Sequence, residues 1–204
     1  FTLVTGTPFI AVGFSAGVFI DIDGDNDNDQ DIIISGDADV SGFITKVYKN
    51  DGNGNYTSFN SIPFCGAKYS AIDFSDVDGD NDQDVIISGI TDGGIFTTLF
   101  VNDSNGEFTK IDNTPFSEVQ YSAIAFADVD NDNDQDLIIT GNGYSSGYNN
   151  NHELTELYIN DGNGNFTKDI NSYFEGVSYG SIAFADIDGD NDQDVLVVGK
   201  DTNR

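Results

Sequence analysis

The chain has 204 residues, 38% of them hydrophobic and 12% aromatic, and its 36 acids against 7 bases give a formal net charge of -29. The apolar content is that of a globular protein, whereas the charge excludes nucleic acid as a partner, because no basic patch exists to displace counterions from phosphates, and disfavours anionic membrane surfaces. Such charge opposes a compact state unless cations offset it, and 31 of the acids are Asp against five Glu, a bias toward the short carboxylates of turns and hard-cation cages.

In chain order, the first run goes from Phe1-Thr2 to Pro8-Phe9, followed by GFSAGVF, an acidic tract, Ile32-Ile33-Ile34 and a run ending at Asn50. A tight-turn signal, Asp51-Gly52-Asn53-Gly54, closes the series, since Asn and Gly accept the positive φ of hairpin turns. Tyr56-Thr57 then begins the same series again: SIPFCGAKYSAIDF, DVDGDNDQDVIISG from Asp76, and LFVNDSNGEFT ending at Thr109. The third copy carries NTPFSEVQYSAIAF, DVDNDNDQDLIITG from Asp128, and LYINDGNGNFT ending at Thr167. The fourth carries NSYFEGVSYGSIAF and DIDGDNDQDVLVVG from Asp186.

Cut before each Phe-Thr or Tyr-Thr, one repeat array spans 1–204 with units 1–55, 56–107, 108–165 and a partial 166–204. Each full unit offers four short β-favourable runs, and turn residues recur too often for helices. The expected fold is all-β, a β-propeller-type array of tandem four-stranded blades, about four repeats with the last incomplete. Small residues such as Ala123, Ala125, Ser181 and Ala183 suit a crowded innermost strand. Runs such as Ile32–Ile34 and Val195–Val198 suit a strand covered on both faces.

The acidic tracts carry the chemistry. In the second copy Asp76, Asp78, Asp80 and Asp84 stand at positions 1, 3, 5 and 9 of a loop, the alternation that turns carboxylates toward one Ca²⁺, and Asp82 at position 7 offers its backbone carbonyl. Position 6, where the chain must turn sharply, is Asn81, Asn133 or Asn191, a residue type that tolerates left-handed geometry. The third copy repeats the set with Asp128, Asp130, Asp132, Asp134 and Asp136, and the fourth with Asp186, Asp188, Asp190, Asp192 and Asp194. The first tract is two residues longer. Its register starts at Asp21 or at Asp23, and the second choice gives Asp23, Asp25, Asp27, Asp29 and Asp31 with Asn28 at the turn. No Glu stands at position 12, so carbonyls or water complete the coordination. The expectation is about four Ca²⁺ per chain, bringing the formal charge from -29 to -21; Mg²⁺ fits less well, because it needs tighter octahedral geometry.

D-[IV]-D-G-D-N-D-Q-D before an apolar run and Gly, with L-Y-x-N-D-G-N-G-x-F-T downstream, resembles the FG-GAP or VCBS-type repeat, a family that includes the propeller repeats of integrin α subunits. The resemblance covers nearly the whole chain. It implies a β-propeller with Ca²⁺ in a hairpin loop of the blade, in secreted or cell-surface proteins that adhere, bind sugars or accompany polysaccharide-degrading enzymes. The Phe-Gly and Gly-Ala-Pro signatures are absent, with Tyr-Ser-Ala-Ile in the equivalent stretch, which speaks against an integrin-like ligand role.

Enzymatic activity is not expected. His152 is the only histidine, and the Asp residues are better used as metal ligands than as catalytic carboxylates. The loop 141–152, with Tyr144, Tyr148 and His152, suits stacking on sugar rings, so a carbohydrate-binding module or an accessory domain of a polysaccharide-acting enzyme is the alternative to a structural or adhesive role. Cys65 reads as a small buried hydrophobe, being without a disulfide partner or zinc spacing. No apolar run approaches 18 residues, so no membrane insertion is expected. The chain lacks an initiator Met and reads as a mature or excised piece, secreted or at the cell surface, where weak Ca²⁺ sites work. Fifteen strand-like runs are counted rather than sixteen, the last unit stopping inside a hairpin. Other copies of the chain, or further blades of a longer one, are therefore the expected partners, with glycans as the alternative, and head-to-tail association into an oligomer or filament is a route to closing the open edge.

Overall fold

The computed structural model describes residues 3–22, 29–103, 106–144 and 152–201. The sequence pattern of short β-branched runs between turn clusters is realised as antiparallel meanders. The first comprises β1 (Gly13–Ile20), β2 (Asp31–Asp37), β3 (Phe43–Asn50) and β4 (Tyr56–Phe59), in that spatial order. The second comprises β5 (Lys68–Ser75), β6 (Asp84–Thr91), β7 (Gly94–Asn102) and β8 (Phe108–Lys110). The third runs β9 (Glu118–Ala127), β10 (Asp136–Tyr144), β11 (His152–Asn160), β12 (Phe166–Lys168), and touches the second through the pair Phe96 and Val119. A two-strand sheet of β13 (Ser178–Ala185) and β14 (Asp194–Lys200) follows.

Two features depart from the sequence reading. Each Phe-Thr or Tyr-Thr run pairs with the strand before it, as β4 does with β3, so the sheets run 13–59, 68–110, 118–168 and 178–200, one strand out of phase with the cuts. The first such run forms no strand over its described residues 3–12, so the described residues contain fourteen strands, not fifteen.

The cores lie between sheets. On β6, Val85 and Ile87 pack with Ile33, Val47 and Phe64, facing the first meander. The intervening Ile86 packs with Leu137, Ile139 and Tyr158, facing the third. The two-residue period of a strand thus serves two cores, which is why this run is apolar without interruption. The equivalent strand β14 is open, with Leu196 58% and Val198 49% exposed.

The segment leading into each meander lies across the outer strands of that same sheet. Phe64 stands edge-on to Phe100 and Phe108 at 4.8 and 5.1 Å, as Phe9 does to Tyr48 and Tyr56 and Phe116 to Tyr158 and Phe166. Cys65 is exposed, contrary to its reading as a buried hydrophobe. Between the buried Phe64 and Ala67 the thiol points outward, while the Cys65 carbonyl accepts a 2.7 Å hydrogen bond from Thr45 Oγ of the preceding sheet. Thr97 to Ser117 and Thr155 to Glu175 repeat this bond between later sheets.

Candidate metal centres

Each acidic tract connects the first and second strands of its sheet. In the second, Asp76 accepts the amides of Gly79 and Asn81 at 2.8 and 2.9 Å, and Asp80 accepts that of Asp82 at 3.0 Å, so the first and fifth carboxylates wind the loop on itself. Asp128 and Asp132, and Asp186 and Asp190, repeat these roles. Such winding needs left-handed backbone at the turn, and Asn81, Asn133 and Asn191 have φ of 73, 74 and 71°.

The ninth position ties the loop to the sheet. Asp84, wholly buried, accepts the amide of Val77 at 2.9 Å and that of Asn102, the last residue of β7, at 2.9 Å. Asp136 does the same with Val129 and Asn160, and Asp31 with Ile22 and Asn50. In the longer first tract Ile22 stands where Val77 does, nine residues before Asp31 rather than seven, so the two extra residues lie between them and both Asp21 and Asp23 stand as starts of the loop. Asp23, Asp25 and Asp27 lie outside the described residues. In the fourth tract Asp194 accepts the amide of Ile187 at 2.9 Å.

Three groups of carboxylates converge: Asp76, Asp78 and Asp84; Asp128, Asp130 and Asp136; Asp186, Asp188 and Asp194. Within each group one oxygen from every residue lies within 4.8 Å of the others. These are positions 1, 3 and 9. Asp80 adjoins Asp78 closely enough to raise its pKa, and Asp132 does the same to Asp130, in both cases after burial as the larger cause. Asp134, held up by burial and then by Asp132, lies under the turn of the β11–β12 hairpin, where a Cβ on Gly162 would collide with its carboxylate. Asp192 is raised by its contact with Asp190, whose own pKa is lowered by the Asp192 amide. Burial pushes Asp84 up to about 7 against its two backbone donors, and Asp136 is raised for the same reason.

Like charges about 4 Å apart repel by about 4 kcal/mol at a near-surface dielectric, so these triads are unfavourable as bare anions. The second loop adds a sharper sign: Asp78 Oδ1 and Asp82 Oδ2 are buried without a hydrogen-bond donor, a costly state for a carboxylate oxygen. An all-oxygen donor set with orphaned lone pairs fits a hard divalent cation, and the triads could hold one.

Sequence reasoning missed Asn102 and Asn160. Their side-chain amides bridge loops of successive sheets: Asn160 Nδ2 donates to Gln135 O in its own sheet's loop and to Val77 O in the loop before, and Asn102 Nδ2 likewise to Gln83 O and Ile22 O. The signal was the Asn that precedes Asp-Gly or Asp-Ser in the first three copies, read only as part of a turn. Of the long β10–β11 connection, Tyr148 lies outside the described residues, and His152 is half-buried at the start of β11.

No curated protein matches the chain. A family model described as an FG-GAP-like repeat matches residues 76–139 and 140–197, each span carrying one or more of the meander strands and their acidic or hairpin loops. These spans cover more than half of the sequence, and the chain belongs to the FG-GAP-like repeat family.

Proposed function

We propose that the protein is an extracellular Ca²⁺-binding repeat module with a structural or adhesive role, each acidic loop holding one Ca²⁺ and each meander serving as a propeller blade. The observation that carries the reading is the recurrence of one oxygen triad in successive loops, with two buried orphan oxygens in the second. Ca²⁺ is favoured over Mg²⁺ because the loops offer carboxylates and carbonyls in a flexible turn rather than a tight octahedron. Modules of this kind work at Kd values of about 10⁻⁴–10⁻³ M, which suits an exterior rich in Ca²⁺ rather than cytosol.

The blade arrangement draws support from the first strands, which lie side by side in the order β1, β5, β9, β13, and from cores placed between sheets. We take the carboxylates as ligands rather than catalysts, so the role is not enzymatic. The partners inferred are further units of the same kind, in one chain or in another copy, packing on faces such as that of Leu196 and Val198. Elemental analysis of protein dialysed against Ca²⁺ tests the central claim: about four Ca²⁺ per chain supports it, and none bound overturns it.

A further inference from the structure

Each first strand opens with an aromatic residue in a conformation that bulky side chains seldom adopt. Phe14, Tyr69, Tyr121 and Tyr179 have φ of 50, 50, 51 and 53°. Each sits in a β-bulge, where the pairing with the second strand shifts register. The Gly that ends each second-strand run, after Ser, Thr or in the fourth copy Val198, lies opposite: a Cβ on Gly89 would come within 3.1 Å of Ser70, one on Gly36 within 3.0 Å of Ser15, and one on Gly199 within 3.0 Å of Ser178. Four copies of a strained bulge, each with a glycine cleared for it, aim four rings at one place. Strain of this kind gathers at binding sites.

The rings form a row across the sheets, with centroids 4.6 Å apart from Phe14 to Tyr69, 4.3 Å to Tyr121 and 4.2 Å to Tyr179. Together with the serines that follow the first three, they line an open cavity of about 340 Å³. The end rings, Phe14 and Tyr179, are 61% and 63% exposed. Among the described residues that line this cavity there is neither acid nor base, and the Lys68 ammonium, 5.3 Å from the centroid of the Tyr69 ring, is paired with Asp37 at 3.6 Å. A net charge of -29 repels anions, and a site built for a cation would have recruited some of the abundant carboxylates. What the described lining offers is rings with phenolic and serine hydroxyls.

We infer that this aromatic row binds a neutral saccharide ring, whose apolar face packs on the rings and whose hydroxyls exchange hydrogen bonds with Tyr69, Tyr121 and Tyr179. The site goes beyond the calcium-scaffold reading. It lies at the start of the first strands while the acidic loops follow their ends, so about 20 Å of strand separates the two, and either can fail alone.

The test is saturation-transfer NMR on the Ca²⁺-loaded protein with methyl α-mannoside, methyl β-galactoside and methyl β-glucoside, alongside arginine methyl ester and glucuronate, with bound Ca²⁺ counted on the same sample. The expected result is transfer to at least one neutral glycoside, weakened severalfold by Tyr121→Phe, abolished by Tyr179→Ala, and unchanged by Tyr173→Ala, whose ring is exposed elsewhere. Absence of transfer to all three glycosides, survival of the signal in Tyr179→Ala, or binding of the arginine ester in their place overturns the inference. A full Ca²⁺ complement in that failing sample leaves the scaffold reading standing.

Discussion

The side-chain amide of Asn160 donates a 2.8 Å hydrogen bond to the carbonyl of Val77, a residue 83 positions earlier in the sequence. Both groups are buried, and the same amide also reaches Gln135, so one side chain joins the acidic loops of neighbouring sheets. Replacing Asn160 with Ala removes both bonds, leaving the Val77 carbonyl with the Gly164 amide alone, and the expected loss is about 1–3 kcal/mol. Asn50→Ala, whose amide makes one exposed contact within its own sheet, should cost less. Urea midpoints at unchanged slope measure both.

If the loops hold Ca²⁺ as proposed, chelation should lower the melting temperature and Ca²⁺ in excess should restore it, because an ion bound by the folded loops and not by the unfolded chain stabilises the fold. Equal melting temperatures in EDTA and in Ca²⁺ would remove the ion from the folding equilibrium.

The pH dependence follows from Asp84, whose carboxyl burial holds up at about 7. A carboxyl with its folded pKa above the unfolded value near 3.8 contributes most to stability at low pH, and that contribution is lost as pH rises through the folded pKa. In EDTA, stability should therefore rise as pH falls from about 7.5 toward 5. Ca²⁺ bound as proposed would compete with protons for these oxygens, so the gap between the EDTA and Ca²⁺ melting curves should narrow over that window. A gap that stays constant contradicts the assignment of Asp84 to the site.

Asp80→Ala and Asp84→Ala should separate ion binding from architecture. Asp80 supports only the amide of Asp82, so its loss should remove about one bound ion by calorimetry and leave the EDTA melting temperature nearly unchanged. Asp84 holds the amides of Val77 and Asn102 in the interior. Its replacement should lower the melting temperature with or without Ca²⁺.

Ile86 and Leu196 occupy the same place in their repeats, two residues after the ninth-position Asp, yet one is fully buried and the other 58% exposed. Ile86→Ala should cost about 2–5 kcal/mol through the cavity it leaves. Leu196→Ala should cost well under half as much in this 204-residue chain, as denaturant titration would register.

Much of this was open to reading because it is local. Alternating Asp, turn Asn and β-branched runs are consequences of neighbouring residues, and the loops follow them: Asn81 takes positive φ, and Asp76, Asp78 and Asp84 converge. What escaped depends on distance in sequence. The Asn102 and Asn160 bridges, the outward turn of Cys65 and the pairing of β4 with the strand before it are settled by contacts between sheets. The two extra residues of the first tract fall between Ile22 and Asp31, which meet across the loop, so the spacing of its acids alone leaves two registers.

The division of β6 between two cores has a mechanical corollary. With Val85 and Ile87 given to one neighbour and Ile86 to the other, the second meander cut out alone would carry two uncovered oily faces. Its stability is therefore borrowed from both sides, and cooperativity passes along the array as in a one-dimensional lattice, each added unit contributing one more junction. Damage at a single junction would divide the array into two cooperative blocks that melt separately, giving two calorimetric transitions in place of one.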